Sequence, residues 1–273
     1  MGEHTACDLE LDAELHAALA GTIYAGRIHF SRVTDSTNTN CVEAARQGAH
    51  HGTVYLADEQ LAGRGRGDHG WRSAAGEGLY VSVLLRQGLP SDRLHLLPLA
   101  AGLAAASAIR EVSGLSVDLR WPNDLLIAGR KAGGILVEAR TETVDAGSVI
   151  AFAVVGIGIN VHQRSFAPGL STPATSLDLE VGRPIERRAL LVRLLKSLER
   201  ETLGLLGPAA GKAIPQRMEQ ASTWARGRHV QVHGPQACTG ITEGLNEHGF
   251  LLVRTDTGLV TVQTGGIRAA EMS

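Results

Sequence analysis

Residues 149–161 are the part of this chain that most constrains its fold. The stretch is apolar at nearly every position and contains Gly156 and Gly158. A strand with one solvent-exposed face alternates apolar and polar residues, whereas a near-continuous apolar run is typical of a strand buried on both faces. Glycines inside a strand often mark a place where another group approaches the backbone closely. We therefore predict that this stretch is a central strand of a sheet.

Other strands and helices are predicted on both sides of this stretch. Asp35-Ser36-Thr37-Asn38 offers good N-cap residues, so a helix is predicted from there to Gly48. Residues 94–112 are rich in alanine and leucine and predict a long buried helix. The remaining strands are predicted at residues 28–33, 53–59, 79–86 and 117–121, a hairpin at 125–138, and helices at 11–19, 190–206 and 213–221.

The sequence pattern changes after Trp224. Short β segments at residues 229–232, 238–245, 250–254 and 259–263 are separated by turn residues. Short strands with regularly spaced turns are typical of a small barrel. We place a domain boundary near residues 221–226, which gives one domain over residues 1–222 and a second over residues 223–273.

The composition excludes several classes of protein. The 273-residue chain has a net charge of −2, so no broad basic field favours nonspecific nucleic-acid binding. Its three cysteines lie far apart, which argues against a disulfide framework and for a reducing compartment. The N-terminus does not have the pattern of a signal peptide, and the most apolar run, residues 94–109, is too short to span a bilayer. We expect a soluble cytoplasmic protein with no membrane partner.

Gly63-Arg64-Gly65-Arg66-Gly67-Asp68-His69-Gly70-Trp71 indicates an anion-binding loop. Glycine allows close approach of the backbone to a ligand, and arginine offers a charged fork that suits carboxylate and phosphate. The adjacent tryptophan favours an aromatic anion such as a nucleotide. The glycines also match G-x-G-x-x-G, but a dinucleotide site needs a helix at the third glycine, and residues 71–78 are predicted to be a loop. A P-loop is excluded because no Gly-Lys-Ser/Thr follows, and a flexible surface loop stays the alternative.

Three further motifs place polar residues at strand ends. Arg120-Trp121-Pro122-Asn123-Asp124 predicts a turn, which alone needs no function. Lys131 precedes Gly133 and Gly134, and the two glycines indicate close approach to the backbone, although a lysine at a strand start is usually solvated. Asn160 ends the central strand after its two glycines, a pattern most simply explained by a helix packing on the sheet. The histidines show no metal-ligand spacing, and no Gly-x-Ser-x-Gly supports a serine hydrolase.

In this order, these motifs resemble those of the biotin–protein ligase family. The matching segments are residues 35–38, 59–66 with Trp71, 120–125, 131–138 and 156–161, and the resemblance extends from about residue 32 to the C-terminus. It implies an α/β (α+β) fold with a mixed central sheet flanked by helices, related to class II aminoacyl-tRNA synthetases. It also implies a small SH3-like C-terminal β-barrel, in agreement with the barrel predicted from turn spacing.

The resemblance further implies a two-step ATP-dependent reaction. Biotin and MgATP would give biotinyl-5′-AMP and pyrophosphate, and the biotinyl group would pass to a lysine on the biotin carboxyl carrier domain of a biotin-dependent carboxylase. The biotin carboxylate is ionised at neutral pH and is already a nucleophile. The first step therefore needs fixed cations, which relieve the charge on the α-phosphate, and no general base.

The same resemblance assigns the site residues. Lys131 and Arg66 would be the catalytic cations near the biotin carboxylate and the α-phosphate. Residues 63–76, here called the glycine–arginine loop, and residues 162–175, the second loop, would close over the labile adenylate. The biotin site would comprise Ser36, Thr37, Asn38, Gln60, Gly63, Arg64, Gly65, Arg66, Lys131 and Gly134. The ATP site would comprise Arg64, Trp71 on the adenine side, Asn123, Lys131, Asn160 and Arg268, with Asp124 as the candidate for holding Mg²⁺ directly or through water.

The chain departs from the family pattern at several positions. Asp68 and His69 stand where a glycine and an arginine are usual, which removes one positive charge and adds a negative one. Arg120 replaces a usual lysine and changes the geometry at constant charge, and Gln231 stands where some members have a lysine. The segment before the catalytic motifs is too short for the winged-helix domain of members that act as repressors, so we expect no DNA partner.

Two alternative functions stay open. A lipoate–protein ligase shares the fold and the adenylation chemistry, although the Gly-Arg-Gly-Arg loop and the C-terminal barrel argue against it. A non-catalytic biotin- or nucleotide-binding module is a different class of protein. The presence of Lys131 beside Arg66 argues against this alternative. Pairing of an edge strand of the central sheet would give a homodimer, but the sequence does not identify the strand.

Overall fold

The computed structural model describes residues 8–67, 69–144 and 147–270. Its first seven strands form one sheet, in which β1 pairs with β2 in parallel and all other neighbours pair antiparallel. The strands are β1 (Ile28–Thr34), β2 (Val54–Gln60), β3 (Gly78–Leu85), β4 (Asp118–Arg120), β5 (Asp124–Ile127), β6 (Arg130–Val144) and β7 (Gly147–Asn160). Their order across the sheet is β1-β2-β3-β7-β6-β5-β4, so the predicted mixed sheet is confirmed.

Strand β7 occupies the middle of this sheet, which confirms the central strand predicted at residues 149–161. Successive side chains of a strand point to opposite faces. Val155, Ile157 and Ile159 belong to the main hydrophobic core. Gly156 and Gly158 therefore lie on the opposite face, together with Asn160. That second face is the one on which the candidate site is built.

Helices cover the two faces unequally. The described helices are α1 (Ala13–Ala18), α2 (Thr37–Arg46), α3 (Leu97–Ser113), α4 (Leu177–Val181), α5 (Arg187–Gly204) and α6 (Ala210–Gln220). Helices α3 and α5 pack together, and α3 contacts β4 to β7 on the core face. Helix α2 packs on the other face against β2, β3 and β7, with Cys41, Ala45 and Leu84 in a small second core. The rest of that face is left for the site.

The long helix begins later than the sequence predicted. Residues Ser91–Leu96 form a 3-10 turn, and α3 starts at Leu97 with Pro98 in its first turn. Proline lacks a backbone N–H and clashes with a preceding helical turn, so it fits only there. The helix ends at Gly114, whose φ of 78° is the left-handed conformation that favours glycine.

The apolarity of this segment is explained by burial. By length and composition, Ser91–Ser113 is long enough to cross a membrane, which corrects the expectation that this run is too short. Inside the protein, 61% of its most apolar window is buried. Apolar residues all round a helix are expected when it lies in the core between a sheet and another helix.

The C-terminal strands form a second, five-stranded antiparallel sheet. Four of its strands were predicted. The fifth was missed because Ile267 is its one buried apolar residue, too little for an alternating pattern. The strands are β8 (Arg226–His233), β9 (Cys238–Leu245), β10 (Leu251–Thr255), β11 (Gly258–Val262) and β12 (Gly266–Ala269), in the order β11-β10-β9-β8-β12. The division of the chain at residues 222 and 223 stays a prediction.

Candidate active site

A cavity of about 640 Å³ lies between the open face of the sheet, the two loops and the C-terminal sheet. It brings together nearly all of the residues that the sequence singled out, although they come from distant parts of the chain. Gly63 is the exception among them. A Cβ there would lie 2.3 Å from the Trp71 carbonyl oxygen, so this glycine packs against the Trp71 backbone and does not line the cavity. The predicted residues that line the cavity are Ser36, Thr37, Asn38, Gln60, Arg64, Gly65, Arg66, Trp71, Asn123, Asp124, Lys131, Gly134, Asn160 and Arg268.

A buried polar cluster lies at one end of the cavity, where α2 begins. Ser36 is the N-cap of that helix, as its sequence predicted. Gln60 Oε1 accepts hydrogen bonds from the Thr37 backbone nitrogen at 2.9 Å and from its hydroxyl at 3.1 Å. Ser82 Oγ lies 2.9 Å from Thr37 Oγ1 and 2.8 Å from Asn38 Oδ1. These neutral donors and acceptors suit a polar, uncharged ligand group.

Two glycines of β7 make room for the site side chains. A Cβ on Gly156 would lie 2.1 Å from Asn38 Oδ1, and a Cβ on Gly158 would lie 2.6 Å from Trp71 Nε1. The glycines predicted to allow close approach therefore do so, one towards a helix side chain and one towards a loop side chain. Gly156, Gly158 and Asn160 alternate along one face, so the Trp71 indole lies between the polar cluster and Asn160. The adenine side expected for Trp71 stays a prediction.

The glycine–arginine loop folds back over the sheet as an irregular hairpin. The Gly65 backbone nitrogen donates to the His69 carbonyl at 2.7 Å, and the Trp71 nitrogen donates to the Gly63 carbonyl at 2.8 Å. The described residues 71–77 contain no helix, in agreement with the loop predicted there. Asp68, one of the two departures from the family pattern, lies outside the described residues.

Lys131 belongs to a charged cluster at the centre of the cavity. Its Nζ lies 2.5 Å from Asp124 Oδ1 and 5.5 Å from the centre of the Trp71 ring. Arg120, which is almost fully buried, binds Asp124 Oδ2 through Nη2 at 2.6 Å and Nε at 3.1 Å. Arg66 donates to Asn123 Oδ1 at 3.4 Å. Lys131, Arg66 and Arg120 thus all line the cavity, and Arg120 shares the Asp124 carboxylate with Lys131.

Asp124 is placed differently from a metal ligand. Burial alone would raise the pKa of its carboxyl, but Lys131 and Arg120 hold that pKa below its usual value. Both carboxylate oxygens already accept hydrogen bonds from these two cations. Among the described residues, no group of three or more His, Cys, Asp or Glu side chains is arranged to hold a metal. The expected magnesium role of Asp124 does not fit this arrangement, because a metal ion would have to displace one of the two cations.

Replacement of Asp124 by asparagine is expected to lower the free energy of unfolding by about 3 kcal/mol at neutral pH, because the buried Arg120 and the partly buried Lys131 lose their partner. A depressed pKa stabilises the folded state above the unfolded value near 3.8, and this contribution is lost as the pH falls through the lower folded value. Urea denaturation between pH 7 and pH 3 measures it. The difference in free energy of unfolding between the variant and the wild type should be constant above pH 5 and shrink below pH 4. A constant difference at all pH values, or one equal to that of the exposed control Asp256→Asn, would contradict the assignment.

The second loop is attached to the strand that carries Lys131. The Lys131 nitrogen donates to the Pro173 carbonyl at 2.7 Å, and the Thr175 nitrogen donates to the Lys131 carbonyl at 3.0 Å. Arg120 Nη2 also donates to Thr172 Oγ1 at 2.8 Å. Asn160, expected on the nucleotide-phosphate side, lines the cavity but donates its amide to the Thr175 carbonyl at 3.0 Å. In this conformation Asn160 holds the C-terminal end of the second loop in place.

The C-terminal sheet completes the cavity wall. Arg66 donates to the Gly265 carbonyl, and the Trp121 indole nitrogen donates to the Gly249 carbonyl at 3.0 Å. Arg268 lines the cavity from β12 and lies directly opposite Gln231 on β8. The C-terminal cation expected near a nucleotide is therefore present at the cavity wall.

Three contributors to the site had no assigned role in the sequence analysis. Ser82 and Ser73 bind members of the polar cluster, and Glu138 accepts a hydrogen bond from Asn38 at 2.7 Å. Ser82 was detectable as the one polar residue in the middle of the otherwise apolar stretch 79–85. No comparable signal marks Ser73 in a loop, and the partner of Glu138 is fixed only by the folded chain.

Known proteins share the sequence motifs and the fold of this chain. Residues 30–160 match the Biotin/lipoate A/B protein ligase family, and residues 227–267 match the Biotin protein ligase C terminal domain. The chain is 30% identical over 259 residues to the Bifunctional ligase/repressor BirA of Bacillus subtilis, covering 94% of this chain and 78% of that protein. It is 33% identical over 241 residues to the Biotin--[acetyl-CoA-carboxylase] ligase of Mycobacterium tuberculosis, covering 86% of this chain and 85% of that one. The solved structure of biotin protein ligase from Aquifex aeolicus in complex with biotin and ATP matches with a TM-score of 0.74 and 29% identity, covering 89% of this chain and 98% of that chain.

Proposed function

Because this chain belongs to the biotin protein ligase family, we propose that its cavity joins biotin to ATP as biotinyl-5′-AMP and then passes the biotinyl group to a lysine of a biotin carboxyl carrier domain. Biotin ligation is the activity that the family and its solved complexes support. The observation that carries the proposal for this chain is the arrangement of the cavity. A neutral polar cluster lies at one end, and Lys131 and Arg66 lie beyond it.

The ureido head of biotin is assigned to the polar cluster around Asn38 and Gln60. A ureido group offers one carbonyl acceptor and two N–H donors, which match hydroxyl and amide side chains and carry no charge. The acyl chain would then run past the Trp71 indole, towards Lys131. This direction places the carboxylate at the cations, and leaves the space towards Asn123 and Arg268 for the nucleotide.

In the first step, a carboxylate oxygen of biotin attacks the α-phosphorus of ATP, and the bond to the pyrophosphate oxygen breaks. Two anions must meet, so fixed positive charge near both is the main requirement. Lys131 and Arg66 would supply it, with Lys131 exchanging Asp124 for the substrate oxygens. Magnesium enters as part of the substrate MgATP.

In the second step, the amine of the carrier lysine attacks the acyl carbonyl, AMP leaves, and the amine loses its proton. A desolvated cavity favours the neutral amine, because burial disfavours the charged form. The same exclusion of water protects the acyl-adenylate from hydrolysis. The glycine–arginine loop and the second loop are placed to provide that cover.

Isotope exchange between ATP and pyrophosphate tests the proposed substrate directly. We expect exchange that depends on biotin and not on lipoate. Exchange that depends on lipoate alone would support the lipoate–protein ligase alternative and contradict our assignment. Binding of biotin without any exchange would support the non-catalytic module. The carrier protein, a cytoplasmic location and a homodimer through an edge strand stay predictions.

A further inference from the structure

Glu138 lies on β6 behind the cavity and contacts two functional parts of the site at once. Its carboxylate binds Asn38 of the polar cluster and Arg64 of the glycine–arginine loop. We propose that Glu138 is a positioning residue that couples closure of this loop to the orientation of the biotin-binding amide. The proposal rests on the proposed function, because it concerns how that function retains its intermediate.

The first contact fixes the direction of the Asn38 amide. Asn38 Nδ2 donates to Glu138 Oε2 at 2.7 Å, while its Oδ1 lies 2.8 Å from Ser82 Oγ. An ionised carboxylate only accepts hydrogen bonds, so Glu138 pairs with the amide nitrogen of Asn38. The amide oxygen of Asn38 then faces Ser82. The Asn38 amide fills the space beside Gly156, since a Cβ added to this glycine would lie 2.1 Å from Asn38 Oδ1. Asn38 is therefore held in one orientation and is 4% exposed.

The second contact holds the loop on the sheet. Arg64 Nη1 lies 3.0 Å from Glu138 Oε2 and Nη2 lies 2.8 Å from Oε1, a two-pronged pair with defined geometry. Among the described residues of the glycine–arginine loop, Arg72 also forms an ion pair. Its partner Glu77 directly follows the loop in the chain, so this pair does not connect the loop to a distant strand. The pair with Glu138 is thus an ionic attachment that joins the loop to a strand of the sheet.

The shared oxygen connects the two contacts. Glu138 Oε2 accepts from both Asn38 and Arg64, so movement of either partner changes the position of the other's acceptor. When the loop closes, Arg64 orients the carboxylate and thereby Asn38. When biotin binds Asn38, the carboxylate is held ready for Arg64. Such coupling is reciprocal, so a bound biotinyl group should keep the loop closed.

Release of biotinyl-AMP from the full-length protein tests this coupling. The protein is loaded with biotin and α-labelled MgATP, and the appearance of free labelled biotinyl-AMP is followed after dilution. Glu138→Gln keeps an acceptor for Asn38 and loses the ion pair, and Arg64→Gln loses it from the other side. Each variant should release biotinyl-AMP about fivefold faster, which corresponds to the upper range of stabilisation by a partly exposed ion pair. The double variant should be no faster than either single one.

Glu142→Gln makes the same chemical change four residues further along β6 and should behave as wild type. Glu138→Ala should also raise the KM for biotin, because it leaves the Asn38 amide without its acceptor. A merely structural role would lower the melting temperature of the variants without changing release. Wild-type release rates in Glu138→Gln, or multiplied effects in the double variant, would overturn the proposal. A wild-type protein that forms no biotinyl-AMP would instead contradict the proposed function itself.

Discussion

Replacement of Lys131 by alanine is expected to reduce the rate of biotinyl-AMP formation by about a thousandfold while the fold persists. The side chain is the cation placed between the polar cluster and the nucleotide side of the cavity, and loss of one such preorganised group costs about a hundred- to a thousandfold in rate. Its loss also leaves Asp124 with Arg120 alone, a pair of zero net charge, so the cluster no longer offers a positive charge to the incoming carboxylate and phosphate. Single-turnover adenylation with quenched-flow sampling measures the effect.

The matched control is Lys196→Ala, which removes an exposed lysine of α5. This variant should adenylate biotin at the wild-type rate, and circular dichroism should show both variants folded. Turnover by Lys131→Ala within tenfold of wild type would contradict the assigned role. The same result would leave Arg66 as the principal cation of the first step.

Substitution of Gly156 by alanine is expected to weaken biotin binding by about 10- to 100-fold. The new Cβ would lie 2.1 Å from Asn38 Oδ1 and 2.9 Å from its Cγ, distances at which the amide must move. Asn38 would then lose its fixed contacts with Ser82 and Glu138, and each broken buried hydrogen bond costs about 1–3 kcal/mol. Titration calorimetry with biotin measures the change in affinity.

Gly204→Ala is the control for this substitution, because a Cβ at that helical position would meet nothing within 4 Å. Alanine favours helix over glycine by about 1 kcal/mol, so this variant should be as stable as wild type or more so. Its biotin affinity should be unchanged. If Gly156→Ala bound biotin as tightly as wild type, the ureido head would lie elsewhere than beside Asn38.

The sheet could be predicted from sequence because its signals are local. The apolar stretch at residues 149–161 identified the central strand, and the N-cap residues around Ser36 identified the start of α2. Strand β12 has one buried apolar residue and gave no such pattern. The long helix was predicted from residue 94 because Leu94 and Leu96 extend its leucine pattern into the 3-10 turn, whereas α3 begins at Leu97.

The candidate site was predictable in its members but less so in its contacts. Glycines followed by polar residues at strand ends identified the cavity lining, because those glycines permit the approach of other groups to the sheet. The pairing of Asp124 with both Arg120 and Lys131 depends on the β4–β5–β6 geometry, whereas the resemblance to the family suggested a magnesium role for Asp124, directly or through water. The position of Trp71 over Gly158 depends on how its loop folds back, which no local pattern encodes.

A crystal structure of the protein with biotinyl-AMP tests the central claim most directly. We expect the ureido ring beside Asn38, the acyl chain beside the Trp71 indole, and Lys131 Nζ released from Asp124 and within hydrogen-bond distance of the acyl phosphate. The adenosine should then lie towards Asn123 and Arg268. A ureido ring at the Arg268 end, or a Lys131 that keeps Asp124 and leaves the acyl phosphate uncontacted, would contradict the account.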